Sequence, residues 1–396
     1  MAFGRIYQLM KNIYHLLQAY LWRGVYGWPD RGMHLYGITG TNGKTTTCYL
    51  VSSILEQEYG AQAVGMLTTV GLRVGNKTEV NKTKLTTLPS RLVFSYLKQM
   101  KVAGVTHVAL EMTSHALDQN RLAGISLDGA ILLNIAREHL NYHQTMKEYA
   151  QAKERICTYL KQGAPLVGKE DDEYVRPILE RARKAGVSAI GFSAASAAGQ
   201  ATPLSGQVNT ENATAAKMLM QSVGIPGSAI EAGIQALRHV PGRMEWVDAP
   251  QGFRVLIDYA VTPDALERLY ADVRKMTKGR VLGLLGAAGL RDRGKRPDMA
   301  RVVAAQVDDL VITREDPWTE SEEQIFSDLE QGLTDATVLW QRIADRREAL
   351  EYLLKKAQKG DIVVVTGKGA EEGMGVGKDV IPWNDRTIIQ EILQTL

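Results

Sequence analysis

Short apolar runs, separated by longer stretches of helical periodicity, recur along most of the chain. Leu35 to Thr39 is one such run; it ends at a glycine-rich turn, and a helical pattern starts at about Lys44. Val105 to Leu110 and Ala130 to Leu133 are further runs of the same kind. Each is short, apolar and followed by polar residues, as parallel strands buried on both faces should be when their C-terminal ends share one edge. Ser193 to Gly206, rich in Ala, Ser, Gly, Thr and Pro, reads as an exposed connection ahead of a helix from Asn212. A turn signal stands at Val240-Pro241-Gly242-Arg243, and beyond it Phe253–Ile257, Val281–Leu285, Asp309–Ile312 and Asp361–Val365 alternate with helical stretches. The pattern predicts an α/β fold: a helical segment over 1–34, a doubly wound parallel central domain over 35–240, and a second, Rossmann-like α/β domain over 241–396.

The N-terminal segment has a pattern of its own. Ile6, Leu9, Met10, Ile13, Leu16, Leu17, Tyr20 and Leu21 recur at helical spacing, with Arg5, Lys11 and Arg23 between them. Two uses fit: a helix docked on the body of the protein, or an interfacial helix giving residues 1–26 a peripheral contact with a membrane surface. No apolar run approaches the ~18 residues a membrane span needs, and no signal-peptide pattern is present.

The chain has 396 residues, 45% hydrophobic and 23% charged, an ordinary folded composition with material for two or three domains. A formal charge of +3 argues against a dedicated nucleic-acid binder. Cys48 and Cys157 are the two cysteines, too few for a four-thiolate zinc site, and a reducing cytoplasm fits them best.

The strongest local signal is Gly40-Thr41-Asn42-Gly43-Lys44-Thr45-Thr46, between a strand and a helix. Glycines let backbone N–H groups curl around phosphate oxygens, and the helix N-terminus adds partial positive charge. Lys44 would neutralise the β- and γ-phosphates and the Thr45 hydroxyl would ligate Mg²⁺. Ile38 stands where the strict spacing asks for glycine, so the match is to a variant loop, and the central domain is of P-loop type. Glu111 closes the run from Val105, where an acid could reach a loop-bound Mg²⁺; His139 follows the next strand, and Lys153 falls in the next helix. Mg²⁺ prefers oxygen ligands, so Lys153 suits the site only if CO₂ carbamylates it.

Several ordered motifs resemble the Mur ligase family, and within it the MurE type that adds the third amino acid to the peptidoglycan stem peptide. They are Glu111 to Arg121 (EMTSHALDQNR), Asn134 with Arg137 to His143 (REHLNYH), Tyr149 to Lys153 (YAQAK), Gly206 to Asn212, Pro241 to Glu245, Asp258 to Asp264, Arg291 to Pro297 and Gly367 to Glu371. The resemblance runs from about Leu35 to Arg386. It implies an ATP-dependent amide ligase working through an acyl phosphate, with UDP-MurNAc-L-Ala-D-Glu or a related muramoyl peptide and an amino acid as substrates. It also implies a cytoplasmic protein, and a monomer is expected. Glu111 would bridge two Mg²⁺ ions, with Thr45 on one and His139 and carbamylated Lys153 on the other. Thr86, Thr87, Ser114, Gln119 and Arg121 would hold the muramoyl peptide, and Asn212, Arg243 and Asp258 would contact the nucleotide.

The sequence departs from the pattern in three places. Only about 34 residues precede the first strand, where the family carries a UDP-gripping domain, so the UDP moiety is open. The motif D-N-P-R, whose arginine would recognise diaminopimelate, reads Glu315-Asp316-Pro317-Trp318, and Ala370 stands in place of a histidine. An indole has no charged fork. Lysine, ornithine and other amines are then open, and Glu315, Asp316 and Glu371 would suit a cationic side chain. Val261 replaces the histidine of D-Y-A-H. Two other readings remain: a folylpolyglutamate-synthase-like ligase, and a non-catalytic ATP-binding partner of a cell-wall assembly. The ligase subunit that amidates the stem peptide is set aside because it carries a four-cysteine zinc ribbon.

Overall fold

In the computed structural model the described residues are 2–83 and 85–396, with side chains outside the description at residues 2–7 and 9. The Arg5, Ile6 and Leu9 positions of the N-terminal pattern therefore lie outside the described side chains. The chain divides into two units: residues 1–135, 145–204 and 208–238, and residues 136–144, 205–207 and 239–396.

The first unit is built on an eight-stranded sheet. Its strands are β1 (His34–Thr39), β2 (Val64–Leu67), β3 (Gly71–Val74), β4 (Lys77–Val80), β5 (His107–Glu111), β6 (Gly129–Leu132), β7 (Pro165–Lys169) and β8 (Ser188–Phe192). They lie in the order β4-β3-β2-β5-β1-β6-β7-β8. From β2 to β8 all neighbours are parallel, while β3 and β4 extend the edge as an antiparallel meander. β5 and β6 are buried throughout, as the continuous apolar runs require.

Helix α1 (Ala2–Val25) packs on α3 (Ser90–Val102), and α2 (Lys44–Tyr59) packs on β5 and on the helix Gly227–Ala236. That last approach is close: a Cβ on Gly233 would fall 2.4 Å from the Ile54 Cα. Two short helices complete the parts that matter for the site. Thr113 caps α4 (Ser114–Asp118), accepting a hydrogen bond from the Ala116 N–H. After the one-turn α5 (Leu140–His143), Thr145 caps α6 (Met146–Glu154) through the Glu148 N–H.

The second unit has a six-stranded sheet in the order β13-β12-β11-β14-β10-β9. Here β9 is Glu245–Asp248, β10 Arg254–Asp258, β11 Val281–Leu285, β12 Asp309–Ile312, β13 Leu339–Arg342 and β14 Ile362–Thr366. All pairs are parallel except the edge pair of β9 with β10. Alternate residues feed two cores: Leu256, Leu285 and Val364 on one face, and Val255, Leu284 and Val365 on the other. A hairpin of β15 (Gly373–Val376) and β16 (Asp379–Pro382) follows.

The α/β class and both parallel sheets agree with the hydrophobic pattern. Some details differ. The helix expected from Asn212 starts earlier and spans Gln207–Ser222. The Ser193–Gly206 connection includes a turn of helix, Ala194–Ala197, closed by a capping box between Ser193 and Ser196.

Candidate active site

In the first sheet β1 lies between β5 and β6, so the loops after three adjacent strands open at one crevice, where doubly wound sheets bind ligands. The glycine-rich loop follows β1, Glu111 ends β5, and Asn134 lies two residues past β6. Gly43 initiates α2 in the left-handed region (φ 86°), and a Cβ there would stand 2.3 Å from the Asn212 Oδ1. Only glycine suits that position. Asn212, expected at the nucleotide, is thus held against the loop itself.

Asn134 and Tyr149, unassigned by the motif reading, brace the loop. The Asn42 N–H donates to the Asn134 Oδ1 at 2.9 Å, the Asn134 amide donates to the Asn42 carbonyl at 3.1 Å, and the Thr41 N–H donates to the Asn134 carbonyl at 2.8 Å. The Thr41 and Tyr149 hydroxyls are 3.1 Å apart. Both residues lie inside quoted motifs, but a side chain that shapes a loop has no spacing signature. Lys44 Nζ donates to the Gly40 and Thr41 carbonyls at 3.0 and 2.8 Å. Buried Lys153 donates to the Gly40 carbonyl at 2.6 Å and lies 4.6 Å from the centre of the Tyr149 ring. Thr46 is buried one position into α2 from Thr45.

The Thr45 hydroxyl donates to both Glu111 carboxylate oxygens, at 3.1 and 3.0 Å, and the Thr69 N–H donates to Glu111 at 2.8 Å. A hydroxyl and a carboxylate meeting beside a phosphate-type loop are hard oxygen donors of the kind Mg²⁺ takes. His139 is placed differently. It stands in the left-handed region (φ 57°) just before α5, in the 136–144 segment that groups with the second unit. There Glu138 accepts from Lys295 Nζ at 2.9 Å, and both are buried.

The residues expected to hold the acceptor cluster in the first unit. Thr87 Oγ1 donates to the Glu111 carbonyl at 3.0 Å and accepts from the Thr113 N–H at 2.9 Å. Arg121 reaches the Thr87 carbonyl at 3.2 Å and the Gln119 Oε1 at 2.8 Å. Ser114 is buried at the first turn of α4, and Thr86 is half-buried beside Thr87. One hydrogen-bonded chain therefore joins Arg121 to Glu111 through Thr87.

In the second unit, Asp258 accepts from the Met244 and Ala260 N–H groups, each at 2.8 Å. Burial raises its carboxyl pKa, against the pull of Arg243 and those two donors. Arg243 lies over the Tyr259 ring at 4.4 Å. The acids after β12 are not the open anionic pocket the sequence suggests. Lys368, fully buried, donates to Asp316 at 2.7 Å and to Glu371 at 2.5 Å. Glu315 keeps one buried oxygen without a hydrogen bond. Burial, and next the charge of Asp316, push its carboxyl up to about 7, while Lys368 and Arg346 pull the other way. Trp318 takes a left-handed backbone (φ 50°), its N–H bonds to the Gly375 carbonyl at 3.0 Å, and its ring fills the place a Gly375 side chain would occupy. The indole that replaces arginine thus packs on the β15–β16 hairpin.

The two α/β units, one with a phosphate-type loop facing a carboxylate, define the class as a two-unit nucleotide-binding α/β protein. Comparison with known proteins narrows it. Residues 38–227 match the Mur ligase middle domain and residues 242–369 the Mur ligase glutamate ligase domain. UDP-N-acetylmuramoyl-L-alanyl-D-glutamate--2,6-diaminopimelate ligase of Geobacillus kaustophilus is 34% identical, over 92% of this chain and 79% of that one. UDP-N-acetylmuramyl-tripeptide synthetase of Roseiflexus sp. is 32% identical, over 94% and 80%. A solved diaminopimelate ligase superposes with a TM-score of 0.59 at 29% identity, covering 92% of this chain and 79% of that one. Folylpolyglutamate synthase of Mycobacterium tuberculosis complexed with ADP shares the fold alone, with a TM-score of 0.70 at 17% identity over 89% and 91%. The chain belongs to the Mur ligase family and is an ATP-dependent ligase of that type.

Proposed function

We propose that this ligase joins the free carboxyl of a muramoyl peptide to the amine of an amino acid in peptidoglycan precursor synthesis, in the cytoplasm. The observation that carries the reading is the convergence of the Gly40–Thr46 loop, Glu111 and the Arg121–Thr87 chain at one sheet edge. The loop N–H groups and Lys44 hold the ATP phosphates. Thr45 and Glu111 would hold Mg²⁺, which would supply charge neutralisation on the transferring phosphoryl group. His139 and Lys153, the latter if carbamylated, would hold a second Mg²⁺.

Thr86, Thr87, Ser114, Gln119 and Arg121 orient the acceptor so that a carboxylate oxygen attacks the γ-phosphorus and ADP leaves. The amine of the amino acid then attacks the acyl carbon; phosphate leaves with the C–O bond electrons and the amine gives up a proton. Asn212, Arg243 and Asp258 contact the nucleotide. Glu315, Asp316 and Glu371 border the amino-acid site, with Lys368 offsetting two of the three acids. Trp318 offers no guanidinium for a second carboxylate, which favours lysine, ornithine or another amine over diaminopimelate.

The test is phosphate release by the purified protein with ATP, Mg²⁺ and UDP-MurNAc-L-Ala-D-Glu, screened against single amino acids. Turnover with one of them, at least ~100-fold lower in Lys44→Ala, is expected. Turnover unchanged in Lys44→Ala, or none with any amino acid, overturns the reading.

A further inference from the structure

α1 is apolar on two faces. One buries Ala19 in the core of the first unit and packs Leu16 and Trp22 against it. The other carries Met10, Ile13, Tyr14, Leu17, Leu21 and Val25, each between 48% and 65% exposed. At helical spacing these six form a continuous stripe of about 120° along the outer side. A helix that only docks on its own domain needs the first face and would be polar on the second; a stripe this large marks an interaction surface.

Charge identifies what the stripe meets. Neither α1 nor α3, which packs against it, contains an aspartate or glutamate. Lys11, Arg91, Lys98 and Lys101 stand exposed on the two helices, and Arg31 lies over the Trp28 ring at 4.8 Å. Asp30 beside them is paired with Arg23 at 2.7 Å. Among the described residues no helix is long and apolar enough to cross a membrane. An exposed apolar stripe containing Tyr14 and edged by Tyr20, on a helix with basic but no acidic residues, is the chemistry of a helix lying in the headgroup layer of an anionic bilayer.

We infer that the outer face of α1 docks this ligase on an anionic membrane surface. The same helix touches the acceptor segment: the Gln8 and Asn12 amides each donate to Asp118 at 3.4 Å, next to Gln119 and Arg121. Gln8 and Asn12 lie on the side of α1 opposite the stripe, so docking holds the acceptor residues about 10 Å, one helix diameter, from the headgroups; this consequence rests on the proposed ligase reading, whereas the docking itself does not.

The test is flotation of the full chain with phosphatidylcholine vesicles, with and without phosphatidylglycerol. Binding is expected only to the anionic vesicles, reduced by salt, and about tenfold or more lower in Leu17→Glu/Leu21→Glu. Both positions are exposed, so folding should be kept, as circular dichroism will check. ATP turnover of that variant with a soluble acceptor should match the unmodified chain, which separates failure of docking from failure of the ligase reading. No binding to anionic vesicles, or binding that the double variant leaves unchanged, overturns the inference. So does a doubled mass by light scattering that the double variant halves, because a second copy then covers the stripe.

Discussion

Replacing Glu315 by glutamine removes a charge from a place that holds it poorly. The native carboxyl titrates at about 7 instead of its usual 4.5 because it is buried beside Asp316. Between those values the folded chain keeps a proton that the unfolded chain releases. Stability from this group is therefore full below pH 4.5, falls as pH rises, and levels off above about 7. The gap of about 2.5 pH units corresponds to about 3 kcal/mol. Glutamine keeps the shape and does not titrate. The stability of Glu315→Gln relative to the unmodified chain should thus climb by about 2–3 kcal/mol between pH 5 and pH 8. Urea unfolding followed by tryptophan fluorescence measures it, since Trp246, Trp318, Trp340 and Trp383 all report on the second unit. Using the difference between the two proteins cancels the titrations of groups not coupled to Glu315. Parallel stability curves across that range would refute the reasoning.

Gly43→Ala places a Cβ against the Asn212 Oδ1 in a left-handed residue, and should weaken ATP binding by about tenfold or more in calorimetry while leaving the fold intact. Asp385→Ala strands Arg346, which is fully buried and paired to it at 2.7 Å, and should cost about 3–5 kcal/mol in denaturant unfolding. Thr45→Val removes the hydroxyl on Glu111 and should raise the Mg²⁺ concentration needed for half-maximal turnover by several-fold, with ATP held constant.

The central strands β1, β5, β6, β10, β11, β12 and β14 and the phosphate loop were legible because their signals are local, whereas β7, β8, β9, β13 and the β15–β16 hairpin were not read. Runs such as Val281–Leu285 have no charge to misplace, and the loop's glycines answer to backbone conformation at their own positions. The antiparallel β2–β4 edge was not legible: β4 is Lys77–Val80, exposed at every residue, so it carries no apolar pattern. Asp316 and Glu371 looked like a free anionic pocket because Lys368 pairs with them across 52 and 3 positions, and sequence spacing reveals only the second. The outer stripe of α1 was written in the sequence, but an apolar helix looks the same until its neighbours show which side is covered.

The chain changes unit five times, at 135/136, 144/145, 204/205, 207/208 and 238/239. A fragment beginning at His239 would carry all of β9 to β16 yet lack Glu138, and Lys295, held at 2.9 Å by that carboxylate in a buried position, would lose its counter-ion. Each unit is assembled from three separate stretches of the chain. Inheritance by domain shuffling would have to move three separate stretches at once, and a single proteolytic nick at the last crossing releases no module equivalent to the unit seen in the intact protein.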